Sequence, residues 1–353
     1  MGSYLTQMAM LGETGRARMI EAMLAKRDWL LADGATGTNL FAMGLVSGEA
    51  PESWNSEFPE RVRSLHQAFV AAGSDIILTN SFGCNRRRLA LHGLQDQTRA
   101  LNRLAAGLAR EVADAAGRTV LVAGSVGPTG DLYVPLGELT EDVAADVFEE
   151  QMLGLRDGGA DLIWIETMSS FEEIRAAATA AGRVGLPYMI TASFDTAGST
   201  MMGIPPTSLV ETAAAFDPPP YAIGANCGVG AADLLAAILQ MTGARPDVAV
   251  IAKGNCGIPQ VAGDRVIYTG TPTLMADYAR LAVDAGARIL GGCCGTTPAH
   301  IAAMREALDG HRRGPRPELD AIVARIGPLT APPPSQADRD ATRRARRRAA
   351  AAE

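Results

Sequence analysis

The cysteines give the first indication of the chemistry that this sequence can perform. Five occur in 353 residues, an odd number, and two of them are adjacent. A secreted, disulfide-bonded protein would carry an even number at regular spacing, so this set fits a reducing compartment better. The thiols then indicate a metal site, a redox pair, an iron–sulfur cluster or inert side chains. A disulfide between neighbouring cysteines would be strained, and no four-cysteine cluster spacing is present.

The positions of the cysteines favour a metal site. Each follows or ends a short apolar run typical of a β-strand, the positions being Cys84, Cys227, Cys256 and the pair Cys293-Cys294. Because the carboxyl ends of parallel strands meet at one edge, we expect all five thiols to face that edge. Cys227 and the adjacent pair follow the sixth and eighth predicted strands. If the strands close into a ring, only the seventh strand separates these two. Three thiolates with a fourth position open describe a catalytic zinc site.

Eight strand–helix units must position these residues. The predicted strands lie at 30–33, 75–79, 119–123, 161–166, 188–193, 221–226, 248–252 and 287–291. Alanine-rich stretches with helical spacing follow them at 60–72, 97–116, 141–157, 171–183, 207–216, 231–241, 273–285 and 298–308. Fully apolar strands are typical of parallel sheets covered on both faces. The pattern predicts an α/β fold, a single-domain (β/α)8 TIM barrel at residues 29–308.

Two extensions flank the predicted barrel. Residues 1–28 are expected to form an N-terminal helical extension, and residues 309–353 a C-terminal extension with a flexible, partly disordered arginine-rich tail. The net charge of −7 argues against a nucleic-acid partner for the barrel. No apolar run approaches the roughly 18 residues that a membrane span needs, and the N-terminus lacks a signal-peptide pattern. We therefore expect a cytoplasmic protein without a membrane partner.

A zinc site rich in thiolates suits a particular chemistry. Three thiolates reduce the Lewis acidity of the metal, so water activation is not its obvious use. A substrate thiol entering the fourth position would instead lose its proton. It would then be a nucleophile at neutral pH, where a free thiol of pKa about 8.5 is mostly protonated. Alkyl transfer to a thiol follows from this reasoning.

Charged residues at the same edge suit a small zwitterionic substrate. Asp33 precedes a glycine-rich turn that begins at Gly34, and Glu166 ends the fourth strand, so both carboxylates are placed for an ammonium group. The alternatives are that Asp33 only caps the turn and that Glu166 is only a solvated strand end. Lys253 follows the seventh strand, which leaves a Schiff-base aldolase as a rival function. A noncatalytic thiol-rich zinc or redox protein is a rival of another class.

Three segments of the sequence resemble the homocysteine S-methyltransferases: Asp33-Gly34-Ala35-Thr36-Gly37, Gly224-Ala225-Asn226-Cys227 and Gly291-Gly292-Cys293-Cys294-Gly295. This family includes betaine–homocysteine methyltransferase, S-methylmethionine-dependent enzymes and the homocysteine module of cobalamin-dependent methionine synthase. The similarity extends from about Trp29 to Met304. It implies a barrel fold, homocysteine as substrate, methionine as product, and zinc held by Cys227, Cys293 and Cys294. Cys84 and Cys256 match no ligand of the family and are expected to be bystanders.

The resemblance also implies the remaining site residues. Glu166 and the turn at Asp33 and Gly34 would bind the amino-acid end of homocysteine. Asn80 lies in a segment that resembles part of the substrate site of the methionine synthase module. Asn255 resembles an asparagine of that module that can occupy the fourth position of the zinc before substrate binds.

The methyl donor is less determined by the resemblance. Animal betaine enzymes have tyrosines where this chain has Gly83 or Cys84, and Thr167, and the sequence has neither the folate barrel nor the cobalamin domain of methionine synthase. A quaternary ammonium donor needs aromatic faces, and four aromatic residues are predicted in loops at this edge, namely Phe41, Trp54, Phe82 and Tyr133. We therefore expect betaine as the donor. Methylcobalamin on a separate corrinoid protein and S-methylmethionine are the alternatives.

Overall fold

The computed structural model describes residues 13–262 and 265–330, and it contains ten strands in that part of the chain. They are β1 (Leu30–Leu31), β2 (Ile76–Leu78), β3 (Leu121–Val126), β4 (Leu162–Met168), β5 (Tyr188–Ala192), β6 (Ala222–Cys227), β7 (Val250–Gly254), β8 (Pro259–Ala262), β9 (Arg265–Tyr268) and β10 (Ala287–Gly292). The strands β8 and β9 pair as an antiparallel hairpin, so β10 is the eighth strand of the main sheet.

The helices of the described residues alternate with these strands. They are α1 (Glu13–Lys26), α2 (Gly37–Ala42), α3 (Trp54–Glu57), α4 (Pro59–Ala71), α5 (Arg86–Leu89), α6 (Thr98–Ala115), α7 (Glu141–Asp157), α8 (Phe171–Val184), α9 (Pro206–Ala213), α10 (Ala231–Ala244), α11 (Pro272–Asp284), α12 (Pro298–Asp309) and α13 (Leu319–Ile326). Local sequence explains many of the starts. Thr140, Ser170 and Thr271 accept a backbone N–H at the beginning of α7, α8 and α11, and proline occupies the first position of α4, α9, α11 and α12.

The main sheet closes into a barrel. Its parallel strands follow the order β1-β10-β7-β6-β5-β4-β3-β2, and a parallel bridge between Ala32 and Ile76 joins the first strand to the last. Each of the eight predicted strands has its counterpart here, and each is followed by its predicted helix. The (β/α)8 barrel predicted from the sequence is therefore confirmed.

Alternate residues of all eight strands form the apolar interior of the barrel. This cluster contains Leu30, Ala32, Ile76, Leu78, Leu121, Ala123, Leu162, Trp164, Met189, Ala222, Ile251 and Ile289, and it also includes Ile20 and Leu24 of α1. The residues between them, such as Leu31 and Val122, belong to a second cluster shared with the outer helices. Helix α1 thus packs its apolar residues against the amino-terminal end of the barrel, which leaves the opposite end for a site.

Two ordered features were not predicted from the sequence. The hairpin β8–β9 follows β7, in a segment for which the sequence analysis names no element. Helix α13 packs against α10 and α11 through the buried side chains of Ile322 and Ile326, so the chain beyond residue 309 continues along the barrel. The arginine-rich run at 343–348 lies outside the described residues. Within those residues, the structure contains no helix that is both long and apolar enough to cross a membrane.

Candidate functional site

Three cysteines meet at the carboxyl-terminal end of the barrel. Gly254, the last residue of β7, pairs with Cys227 of β6 on one side and with Gly292 of β10 on the other. Cys293 and Cys294 follow directly, so the barrel register brings distant parts of the chain together. The Sγ atom of Cys227 lies 3.2 Å from that of Cys293 and 3.6 Å from that of Cys294.

The sulfur atoms fit the requirements of a zinc ion. All three lie within 4.8 Å of one another, and no histidine or carboxylate joins the group in the part of the chain that the structure describes. Zinc–sulfur bonds of about 2.3 Å in a tetrahedron place ligand sulfurs about 3.8 Å apart. The observed spacing is also well beyond the roughly 2.05 Å of a disulfide bond. The donor set therefore suits a soft, tetrahedral cation with one position open to a substrate.

The acid–base properties of the three thiols depend on one another. Hydrogen bonding with the thiols of Cys227 and Cys293 lowers the pKa of Cys294. The same contacts raise the pKa of Cys227, with burial adding to the effect. A cluster of this kind accommodates one negative charge readily, and a cation in its centre would stabilise the further thiolates.

Two asparagines hold the cysteine segments in place. Asn255 accepts a hydrogen bond from the backbone N–H of Cys294 (3.0 Å) and donates to the carbonyl of Gly228 (2.7 Å), the residue after Cys227. Asn226 donates to the hydroxyl of Thr167 and accepts from its N–H, and its Nδ2 lies 3.8 Å from the Sγ of Cys293. The amide of Asn255 is thus engaged with backbone on both sides.

The turns around the cysteines include strained backbone. Cys227 has φ of 58° and Thr167, directly after Glu166, has φ of 64°, values that side-chain-bearing residues rarely adopt. Such conformations cost about 1–3 kcal/mol each and persist where surrounding contacts enforce them. Here the two hydrogen bonds between Asn226 and Thr167 supply part of that enforcement.

A buried charge cluster lies beside the sulfurs. The Nζ of Lys253 is 3.6 Å from Asp33 and donates to the carbonyl of Gly34 at 3.2 Å. Asp33 accepts from the N–H of Leu78 (2.8 Å), and Glu166 accepts from the hydroxyl of Ser125 (2.5 Å). Burial raises the pKa of both carboxylates, that of Asp33 to about 7, while Lys253 counteracts the shift.

Lys253 is held as an ammonium ion. Burial alone would lower its pKa, but the negative charges of Asp33, Cys293 and Glu166 outweigh burial and raise it above the ordinary value. A Schiff-base lysine must react as the neutral amine. This environment therefore disfavours the aldolase that the position of Lys253 left open.

These groups line one cavity of about 440 Å³ at the carboxyl end of the barrel. Its wall includes the three cysteines together with Gly34, Asn80, Glu166 and Lys253. Gly34 has to be glycine, because a Cβ there would lie 2.5 Å from the carbonyl oxygen of Thr296. A larger depression of about 640 Å³ lies on the outer surface between α4 and α6 and holds none of these groups. Of these two cavities, the first brings the clustered sulfurs together with buried charges.

Residues 30–308 match the sequence model of the homocysteine S-methyltransferase family. The chain belongs to this family. Its match covers the whole barrel from β1 to α12, so the methyltransferase identity predicted from the three sequence segments is confirmed.

The chain is 32% identical over 306 residues to methionine synthase of Mycobacterium tuberculosis, which covers 81% of this chain and 25% of that protein. It is 30% identical to the Mycobacterium leprae methionine synthase, covering 79% and 24%. The chain thus spans about a quarter of the curated relatives it matches.

Solved structures of the homocysteine methyltransferase MmuM from Escherichia coli are similar over nearly their full length. The oxidized form has a TM-score of 0.69 at 30% identity, with 81% of this chain and 98% of that chain covered. The metallated form has a TM-score of 0.67 at 30% identity, with 81% and 99% covered. This S-methyltransferase therefore shares its barrel with a protein that has been solved in metallated form.

The structure separates the predicted residues of this methyltransferase into two groups. Gly34, Asn80, Glu166 and the three clustered cysteines line the cavity, whereas Asp33 lies just beneath it and Asn255 beside the cysteine loops. The expectation that all five thiols face this edge is wrong for Cys84 and Cys256. Cys84 is buried against Leu89 and Leu101, and Cys256 belongs to the core under the outer helices.

The predicted aromatic residues divide in the same way. Phe41 and Phe82 line the cavity and are partly exposed, so their placement at the site agrees with the expectation. Trp54 is wrong as a donor contact, because it is fully buried in α3 with its ring against Phe58. Tyr133 is also buried and does not line the cavity. Two aromatic faces therefore remain for a cationic ligand.

Sequence reasoning missed several residues that build the site. Ser125 at the end of β3 orients Glu166, and Asn226 orients the segment after it. Tyr268 of the unpredicted hairpin packs on Gly295, beside Cys294. The position of Asn226 directly before Cys227 was a usable signal. No local pattern identifies Ser125 or Tyr268, since their roles depend on the register of other strands.

Proposed function

We propose that this protein transfers a methyl group to the sulfur of homocysteine, forming methionine, with zinc held by Cys227, Cys293 and Cys294. The observation that carries the proposal is the meeting of these three sulfurs, within 4.8 Å, beside buried carboxylates in one cavity. The MmuM relative has been solved in a metallated form, which supports a metal in this protein as well. When bound, zinc would supply a lowered pKa to the incoming thiol, which makes it a nucleophile at neutral pH.

The charges around the cavity support an amino acid as substrate. Asp33 and Glu166 are two buried carboxylates that face one buried cation, Lys253. The α-ammonium group of the substrate would bring the cluster to two positive and two negative charges. This balance lowers the free-energy cost of burying these charges. Gly34 and the turn that follows it line the same cavity and offer backbone N–H groups to the substrate carboxylate. In this arrangement Glu166 and Asp33 orient homocysteine so that its sulfur reaches the cysteine cluster.

The proposed reaction is a direct displacement. The thiol proton leaves to solvent, and the homocysteine sulfur attacks the methyl carbon of the donor in line with the bond that breaks. With betaine, the C–N bond breaks and its electron pair stays on nitrogen, which yields dimethylglycine. The new S–CH₃ bond completes methionine. The protein contributes by aligning the two substrates within one cavity.

We infer that betaine is the donor. Phe41 and Phe82 present partly exposed rings to the cavity, and aromatic faces attract a quaternary ammonium group. Transfer removes the positive charge from the donor nitrogen, which weakens that attraction and favours release of the product. If these rings do not contact the donor, the alternative donors are S-methylmethionine and methylcobalamin on a separate corrinoid protein.

We further propose that residues 29–308 form the catalytic unit in the cytoplasm, with 1–28 and 309–353 as extensions. The family match at residues 30–308 supports the boundaries of the catalytic unit. Limited proteolysis followed by mass spectrometry would test it, because cleavage should be confined to the two extensions. Cleavage within the barrel before the extensions are lost would contradict these boundaries.

The proposed function is tested by metal analysis and a panel of donors. We expect about one zinc per chain in the purified protein, and methionine formation from homocysteine with betaine exceeding that with S-methylmethionine, dimethylsulfoniopropionate or methylcobalamin. A protein without stoichiometric metal, or one that forms methionine with none of these donors, would overturn the proposal. Turnover with methylcobalamin alone would keep the reaction and replace the donor.

A further inference from the structure

Three consecutive arginines follow β2, and they differ in their partners. Arg86 pairs with Glu150 (2.6 Å) and Arg87 with Asp131 (2.5 Å). Arg88 has no carboxylate oxygen within 4.0 Å among residues 13–262 and 265–330, and its guanidinium lines the cavity that holds the cysteines. A cation that is half-buried at a ligand cavity without an ion pair is suited to bind an anionic group of the ligand.

The surroundings of Arg88 fix the position of its guanidinium. Its centre lies 6.0 Å from the ring centroid of Phe82, the aromatic residue that also lines the cavity. A Cβ built on Gly83 would lie 3.2 Å from Nε, and one built on Gly130 would lie 3.6 Å from Nη1. The guanidinium is therefore packed between the loops after β2 and β3, directly beside an aromatic face.

The two nearest buried carboxylates are already engaged. Glu52 accepts from the N–H of Gly83 at 2.6 Å. Glu173 accepts from both the N–H and the hydroxyl of Thr129, at 2.8 and 2.7 Å. Burial raises the pKa of each carboxyl, and the charge of Arg88 partly counteracts this shift without forming an ion pair with either. Arg88 therefore lines the cavity without a carboxylate partner among the residues that the structure describes.

We propose that Arg88 binds the carboxylate of a zwitterionic methyl donor, whose onium centre lies against Phe82 and Phe41. This inference rests on the proposed function and defines its donor as an onium compound with a carboxylate close to the cationic centre. The carboxylate of homocysteine has the turn at Gly34 instead, on the side of the cavity that holds Lys253. Arg88 therefore determines which donor is used, and it leaves homocysteine binding unchanged.

The experiment compares two donors in three variants. Betaine carries the carboxylate, whereas trimethylsulfonium offers a methyl group and a positive charge without it. For Arg88→Met we expect kcat/KM for betaine to fall about 10- to 100-fold through KM, the range of a lost charge-assisted hydrogen bond. The KM for homocysteine and the turnover of trimethylsulfonium should stay within about threefold. Arg87→Met, which loses an ion pair outside the cavity, is the matched control and should behave as wild type. Arg88→Lys should recover part of the betaine activity.

A binding measurement separates this inference from the proposed function. Calorimetric titration of the homocysteine-loaded protein with dimethylglycine reports carboxylate binding without turnover, and Arg88→Met should weaken it about 10-fold or more. An equal loss for both donors, a raised KM for homocysteine, or unchanged dimethylglycine binding would overturn the role of Arg88. Absence of methionine formation with every donor, together with weakened binding in Arg88→Met, would overturn the proposed function but support the anion site.

Discussion

The two ends of the barrel treat buried charge in opposite ways. At the amino-terminal end, Asp75 accepts the N–H of Leu31 and is surrounded by three arginines: Arg27, Arg118 and Arg305. Beside it, Ile20 and Leu24 of α1 pack on the apolar interior. The buried carboxylate of Asp75 is therefore compensated on several sides, and Arg305 also pairs with Asp309. This end is built for stability.

The carboxyl-terminal end is built differently. Asp33, Glu166 and Lys253 leave a buried carboxylate in excess, three thiols lie in contact, and Cys227 and Thr167 hold strained backbone. In (β/α)8 barrels the ends of the strands carry function and the starts carry stability. The comparison indicates what the carboxyl-terminal end still needs. A substrate ammonium group would balance the excess carboxylate, and a metal ion would bind the three thiols. Substitutions at the two ends should therefore separate activity from stability.

The largest effect is expected from removing a sulfur of the cluster. Cys293→Ala leaves two thiols, which are too few to hold a tetrahedral zinc with one substrate position. Loss of the several kcal/mol that such a cation contributes to activating the thiol should lower kcat/KM by about 10³-fold or more. Zinc content by atomic emission and methionine formation are the measurements.

Cys84→Ala is the matched control for this variant. It also removes one thiol, but from a buried apolar cluster whose members do not line the cavity. We expect it to retain zinc and activity while losing some stability. If Cys293→Ala retained its zinc, or if Cys84→Ala lost it, the assignment of the metal to the three-sulfur cluster would be wrong.

A substitution in the barrel interior should show the reverse pattern. Trp164 of β4 is fully buried among the apolar residues of the interior, and its indole N–H donates to Thr191 at 3.2 Å. Trp164→Ala should lower the free energy of unfolding by about 3–5 kcal/mol, since it leaves a large cavity. Urea denaturation measures this loss, and zinc content with kcat/KM of the folded protein should change little.

A milder variant keeps this test informative when Trp164→Ala does not fold. Trp164→Phe retains an aromatic ring and gives up the hydrogen bond to Thr191, so a smaller loss of stability is expected. A large drop in kcat/KM with unchanged stability in either variant would contradict the separation between the apolar interior and the site.

The fold and the cysteine cluster were predictable from the sequence for a common reason. Apolar runs followed by helical stretches repeat eight times, and this periodicity determines closure into a barrel. Once the strands are placed, Cys227 and the pair after β10 flank the same neighbour, β7, so their meeting follows from the order of strands. A pattern that repeats along the chain is readable without coordinates.

The errors concern side-chain direction and tertiary contact. Cys84 and Trp54 lie in segments between strands that the sequence places near the site, yet both side chains are buried in the core. The side chains of such a segment face either side according to how the segment folds. The partners of Arg88 could not be predicted either. Its neighbours Arg86 and Arg87 have the same residue type, and only the three-dimensional positions of Glu150 and Asp131 distinguish them.

The smallest effect on activity is expected from a residue that supports the cysteine cluster without contributing a sulfur to it. Asn255 joins the loop after β6 to the loop after β10 through Gly228 and Cys294, and neither of its hydrogen bonds involves a sulfur. Residues that hydrogen-bond to the groups holding a metal contribute about 10- to 100-fold to metal affinity. Asn255→Ala should therefore weaken zinc binding by that factor, measured by competition with a chelator, while retaining activity at saturating zinc.

Asn102→Ala is the comparison that makes this effect specific. Asn102 is also buried and also holds a cysteine-containing loop, since it donates to the carbonyl of Cys84 at 2.7 Å, but that loop carries none of the three clustered sulfurs. Both variants lose buried hydrogen bonds and should lose similar stability. Only Asn255→Ala should lose metal affinity, because only there does the released backbone carry a ligand. Equal zinc affinities in the two variants would mean that β6, β7 and β10 alone position the sulfurs, and that the difference between the two ends of the barrel originates in its strands rather than in its loops.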